Sequence, residues 1–134
     1  VQEDLFKVDD KGIAHLELDG QQYQIRKMGA IEGSFVLANY GRADDEKTYA
    51  LVQRKLLGVC SRVSAEGFIT PIMMTDGERA GQITIPDLAN NTKVIVVLAT
   101  ASLVHNLGPT MAAMRPSGEI ATILSHLNPL AIQA

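Results

Sequence analysis

From Val94 to Met114 the chain runs for twenty-one residues, VIVVLATASLVHNLGPTMAAM, without a formal charge. Only Arg115 and Glu119 are charged beyond that run, whereas residues 1–56 carry ten acidic and eight basic side chains. The last third is therefore core or interface. Its length raises the question of a membrane span. Only Val94–Val104 is continuously apolar or small, however, and His105, Asn106 and a Gly108-Pro109 break follow, which would place polar groups and a helix stop in lipid. The sequence argues against a membrane partner.

The apolar positions Val94, Val97, Leu98, Ala101 and Val104 recur on one broad side, so the expectation is a helix rather than a strand despite the β-branched VIVV. Asp87 or Thr92 is the expected cap, with Leu107 the end before Gly108-Pro109. A surface helix keeps a polar face. One that lacks it must share its apolar surface, which makes Val97, Ala101 and Val104 the candidate partner-binding residues, for self-association or an apolar protein partner.

Residues 13–27, IAHLELDGQQYQIRK, read as two period-2 stretches around Asp19-Gly20, the pair that tolerates the positive φ of a type I′ turn. With a two-residue loop, Leu16 falls opposite Tyr23 and Ala14 opposite Ile25, while Glu17 meets Gln22 and His15 meets Gln24 on the other face. Ile31, Phe35 and Ala38 then mark a short helix ending at Gly41. A stronger helix is expected over about 44–63, opened by Asp44, Asp45 and Glu46 and striped by Tyr49, Val52, Leu56 and Val59. Residues 64–86 hold five Gly or Pro breakers, which leaves either a loop or a second short hairpin at 68–85, with Pro71 confining its first strand to an edge. A last helix is expected from Ser117 to Leu127.

The expected fold is one α+β domain, 1–134, mainly helical: the hairpin at 13–27, then about four helices in a body of 30–63 and 87–128. At 134 residues and 46% hydrophobic content the chain is long and apolar enough for one core.

Chemistry is hard to find in these residues. His15, His105 and His126 have no Cys or carboxylate at ligand spacing, so no metal site and no cofactor is expected. His105 reads as a group offsetting a helix carboxyl end. No Gly-x-Ser-x-Gly elbow and no Gly-Lys-Ser/Thr occurs, so no catalytic residue is assigned and the chain is read as a non-enzyme. A small enzyme completed by another subunit's residues is the alternative of that class. Cys60 alone forms no intramolecular disulfide and reads as a buried hydrophobe. A net charge of −3, no Trp and no Lys/Arg block exclude a nucleic-acid platform. The acidic start VQEDLFKVDD is unlike a secretory leader, and synthesis in the cytosol fits.

The passage LDGQQYQIRKMGAIEGSFVLANYG, with its Asp-Gly-x-x-Tyr-x-Ile-Arg opening before a helix of small and apolar residues, resembles the tail assembly chaperones of tailed bacteriophages and prophages. The likeness spans about residues 13–60. It implies a mostly helical, non-enzymatic protein that binds apolar segments of the tape-measure protein during tail-tube assembly, in the host bacterial cytoplasm. The family has no catalytic residues to carry over. The competing expectation is a small structural subunit of a tail or baseplate that remains in the particle and uses its apolar C-terminal third as a permanent interface.

Overall fold

A computed structural model describes residues 5–41, 44–75 and 83–114. Asp19 and Gly20 form the turn at φ 52° and 79°, joining β2 (Ala14–Leu18) to β3 (Gln21–Ile25). The pairs Leu16–Tyr23, Ala14–Ile25, Glu17–Gln22 and His15–Gln24 form as the alternation requires. One face becomes core: Ala14 and Ile25 are fully buried, Leu16 and Tyr23 nearly so.

This hairpin is the centre of a larger sheet. β1 (Lys7–Val8) pairs with β2; β4 (Cys60–Val63) and β5 (Ile69–Pro71) extend the other side, giving the antiparallel order β1-β2-β3-β4-β5. Three helices accompany it among the described residues: α1 (Ala30–Asn39), α2 (Glu46–Leu57) and α3 (Thr92–Met114). The fold is thus α+β built on a five-stranded sheet, not a mainly helical body, and the described residues hold three helices where about four were expected. The helix expected from Ser117 lies outside the described residues.

Two corrections explain the difference. The helix expected over 44–63 stops at Leu57, with Gly58 as C-cap, and residues 60–63 become β4. Val59 is buried as expected, but from an extended segment, and Cys60 is a fully buried strand residue. β5 does form at 69–71, yet it pairs with β4; among the described residues an isolated antiparallel Met74–Ile83 bridge joins the stretches expected to form a second hairpin. Pro71 sits on the edge strand, where its missing N–H breaks no inner ladder.

The third correction concerns α3. Asn91, neither Asp87 nor Thr92, caps it: the Val94 amide donates to Asn91 Oδ1 at 3.2 Å, while Asp87 pairs with Arg62 at 2.6 Å. At the other end the helix passes through Pro109 to Met114. A proline in a helix leaves the carbonyl four residues back without its amide partner. That carbonyl belongs to His105, and Lys27 Nζ donates to it at 3.2 Å.

α3 packs one broad side against the rest of the chain, while Val96 and Thr100 stay exposed on the other. Lys93 pairs with Asp19 at the hairpin tip, and thirteen residues on, Asn106 meets the linker after β3. The helix rise over that span is about 20 Å, close to the length of the strands it crosses. Val94, Leu98 and Ala101 are buried along it. α1 approaches closely because Gly33 has no side chain: a Cβ there would stand 3.4 Å from Leu107 Cδ2. Glu32 of α1 and Lys55 of α2 form a 3.2 Å ion pair between the two helices.

Candidate binding site

Two polar side chains of α3, His105 and Asn106, face inward and act as fasteners. Asn106 Oδ1 accepts from the Met28 amide at 2.7 Å, and its Nδ2 donates to the carbonyls of Arg26 and Ser102. His105 Nε2–H donates to the Gly12 carbonyl at 2.9 Å, with the Phe6 ring edge-on at 5.4 Å. Burial, reinforced by the nearby Lys27 ammonium, pushes His105 below its ordinary value, so the neutral imidazole is the resident form. His105 therefore pins the β1–β2 turn from within a continuing helix; it does not sit at a carboxyl end.

The Cys60 thiol is pushed up to about 12 by burial, which removes the thiolate a nucleophile needs. The buried Ser102 hydroxyl lies beside the protonated Cys60 thiol, which is not a base that could activate it. The Asp9–His15 contact, at 2.7 Å, is local to the turn after β1. Asp9 also accepts from the Lys11 and Ile13 amides, and His15 and then Ile13 contribute most to holding its carboxyl down at about 2. Among the described residues no group of three or more His, Cys, Asp or Glu side chains is placed to hold a metal ion.

What the fold does present is an apolar groove of about 220 Å³ between α2 and the start of α3. Tyr49 and Leu57 line it from α2, Ile95 and Val96 from α3, and Met74 and Ile83 close it. Leu57 and Ile83 are buried and form its floor; Tyr49 at 43% and Val96 at 55% exposure form its rim. α2 can present this side because Asp45 caps its first turn, accepting from the Lys47 amide and the Thr48 hydroxyl.

The residues singled out from sequence lie elsewhere on α3. Ala101 is wholly buried among core side chains, and Val97 and Val104 are half-buried, with Val97 packed against the core. The structure does not gather the three into an open surface. Sequence reasoning missed Tyr49, Ile95 and Val96. An all-round apolar helix gives no periodicity to say which side stays open, and Tyr49 read as part of the core stripe of its own helix. By length and composition alone α3 is also long and apolar enough to cross a membrane, over Thr92–Ala113. In this fold its inward polar groups bond to the chain itself.

Comparison of the chain with protein-family models, with curated proteins and with solved structures finds no match.

Proposed function

We propose that this chain is a non-enzymatic tail assembly protein of a tailed bacteriophage or prophage. In this reading it is a chaperone that holds apolar segments of the tape-measure protein in the host cytoplasm while the tail tube grows. The observation that carries the reading is the groove between α2 and α3, whose half-exposed rim of Tyr49 and Val96 stands over the buried floor of Leu57 and Ile83. An amphipathic helix docks into such a groove through apolar anchors at i, i+3 or i+4 and i+7. Burial of the rim then releases about 25 cal/mol for each Å² of apolar surface covered. The likeness to the chaperone family supports the same reading from the sequence side. Its residues Asp19, Gly20, Tyr23 and Ile25 build the central hairpin rather than the groove, so they support the kind of scaffold and say nothing of the contact.

A second reading, a structural subunit that stays in the tail or baseplate, is favoured by the sheet edge. β5 ends the sheet, and Phe68, Ile69 and Met73 beside it are 73%, 55% and 61% exposed. An edge strand with apolar flanks is a ready surface for a permanent neighbour. Mass spectrometry of purified virions separates the two: an assembly chaperone is absent from the particle, and a structural subunit is present in stoichiometric amount.

A further inference from the structure

Where the linker after β3 passes the end of α2, four cationic side chains line one cleft of about 410 Å³. Arg26 and Lys27 come from the linker, Arg54 and Lys55 from the last turn of α2, and Glu32 is the carboxylate they share it with. Four cations against one carboxylate is a local positive excess in a chain whose net charge is −3. Arg54 and Lys55 alone would be explained as complements to the carboxyl end of α2. Arg26 and Lys27 belong to a different segment and go beyond that need.

The four are held at separate points. Arg26 Nη2 donates to the Gly58 carbonyl at 3.0 Å, Lys27 Nζ to that of His105 at 3.2 Å, Arg54 Nη2 to that of Thr75 at 3.0 Å, and Lys55 Nζ to Glu32 Oε2 at 3.2 Å. A guanidinium has five N–H donors and an ammonium three, so one such bond orients Arg26, Lys27 or Lys55 without exhausting it. Among the described residues no aromatic side chain lines the cleft and Val59 is its one large apolar residue, which gives a nucleoside base or an acyl chain little to lie on. The anchors sit on four different segments, which spreads the charge along the cleft instead of gathering it on one point. That spread suits carboxylates spaced along a peptide better than a single phosphate. The cleft shares no lining residue with the apolar groove.

We infer that this cleft docks an acidic segment of a protein partner, whose Asp and Glu carboxylates pair with Arg26, Lys27, Arg54 and Lys55. The test is fluorescence anisotropy of a labelled, Glu-rich short peptide with the full chain. Expected is saturable binding that falls as salt is raised through about 0.15 M. Lys55→Gln should weaken it about tenfold, because it removes one cation and leaves Glu32 to repel the peptide, and Lys55→Arg should restore it. Lys93→Gln makes the same change of net charge at the distant hairpin tip and should leave binding intact; circular dichroism melting confirms that each variant is folded. Three results would overturn the inference: no saturable binding, equal loss in Lys93→Gln, or displacement of the peptide by inorganic tripolyphosphate at far lower concentration than by unlabelled peptide, which would make this a phosphate site.

Discussion

Lys27 Nζ donates to the carbonyl of His105, the one that Pro109 deprives of its helical amide. A long-range cation thus replaces a local N–H, and it lets α3 continue where its sequence says stop. The same stretch of α3 holds the β1–β2 turn through His105 and the linker after β3 through Asn106. Removing Lys27 should therefore loosen more than one contact.

Lys27→Met should cost about 1–2 kcal/mol, since it leaves a half-buried carbonyl without a partner. Pro109→Ala restores the amide and should stabilise the chain. In that background Lys27→Met should cost distinctly less, because the two changes act on one acceptor. Denaturant midpoints of the four proteins measure the coupling; strictly additive costs would deny the link.

Gly20→Val should cost about 1–3 kcal/mol. The reason is backbone conformation alone: Gly20 sits at φ 79°, and a Cβ there would meet nothing within 4 Å. Thermal melting checks it, and an unchanged midpoint would show that the turn tolerates a β-branched residue.

One imidazole, of His105, and one carboxylate, of Asp9, act in separate pH windows. His105 lies below its ordinary 6.5 in the folded chain, so the folded state binds fewer protons than the unfolded one as pH drops through that region. Its contribution is present above about 6.5 and is lost as pH falls further. His105→Gln, which keeps a donor for Gly12, should flatten the stability profile below the ordinary imidazole range. Asp9, held at about 2 against an ordinary 3.8, contributes above 3.8 and loses that contribution as pH falls toward 2. Asp9→Asn should reduce the dependence in that lower window only, where Asp87, held down by its hydrogen bond to Arg62, keeps contributing.

The hairpin was fully legible in the sequence because its turn chemistry and its cross-strand alternation are both local and agree. The boundaries of the other elements were not. The stripe of Val52, Leu56 and Val59 stays in helical phase across Gly58, and nothing in the run itself reveals that Cys60 finds a strand partner in Ile25. The end of α3 was misplaced because its continuation depends on Lys27, which belongs to a segment remote in sequence. The candidate surface was placed on Val97, Ala101 and Val104 because the missing charge marks the helix as covered without saying by what. α1 and α2, which pack against α3, decide that, and they leave Val96 and Tyr49 exposed.

Ala101→Glu separates core from interface on this helix. Ala101 is fully buried, so a carboxylate there should cost about 3 kcal/mol or more and abolish cooperative unfolding near ambient temperature. Val96→Glu, at 55% exposure, should change stability by about 0.5 kcal/mol or less. A well-folded Ala101→Glu chain would mean that the helix is not packed as described.

The most direct test of the central claim is a titration of the isotope-labelled chain with a synthetic amphipathic helical peptide carrying apolar anchors at i, i+3 or i+4 and i+7, as a tape-measure segment would, followed by NMR. The account predicts shift changes concentrated on Tyr49, Leu57, Ile95 and Val96, and their loss in the folded Val96→Glu variant. Absence of binding, or binding that leaves those four signals unmoved and is indifferent to Val96→Glu, would contradict it.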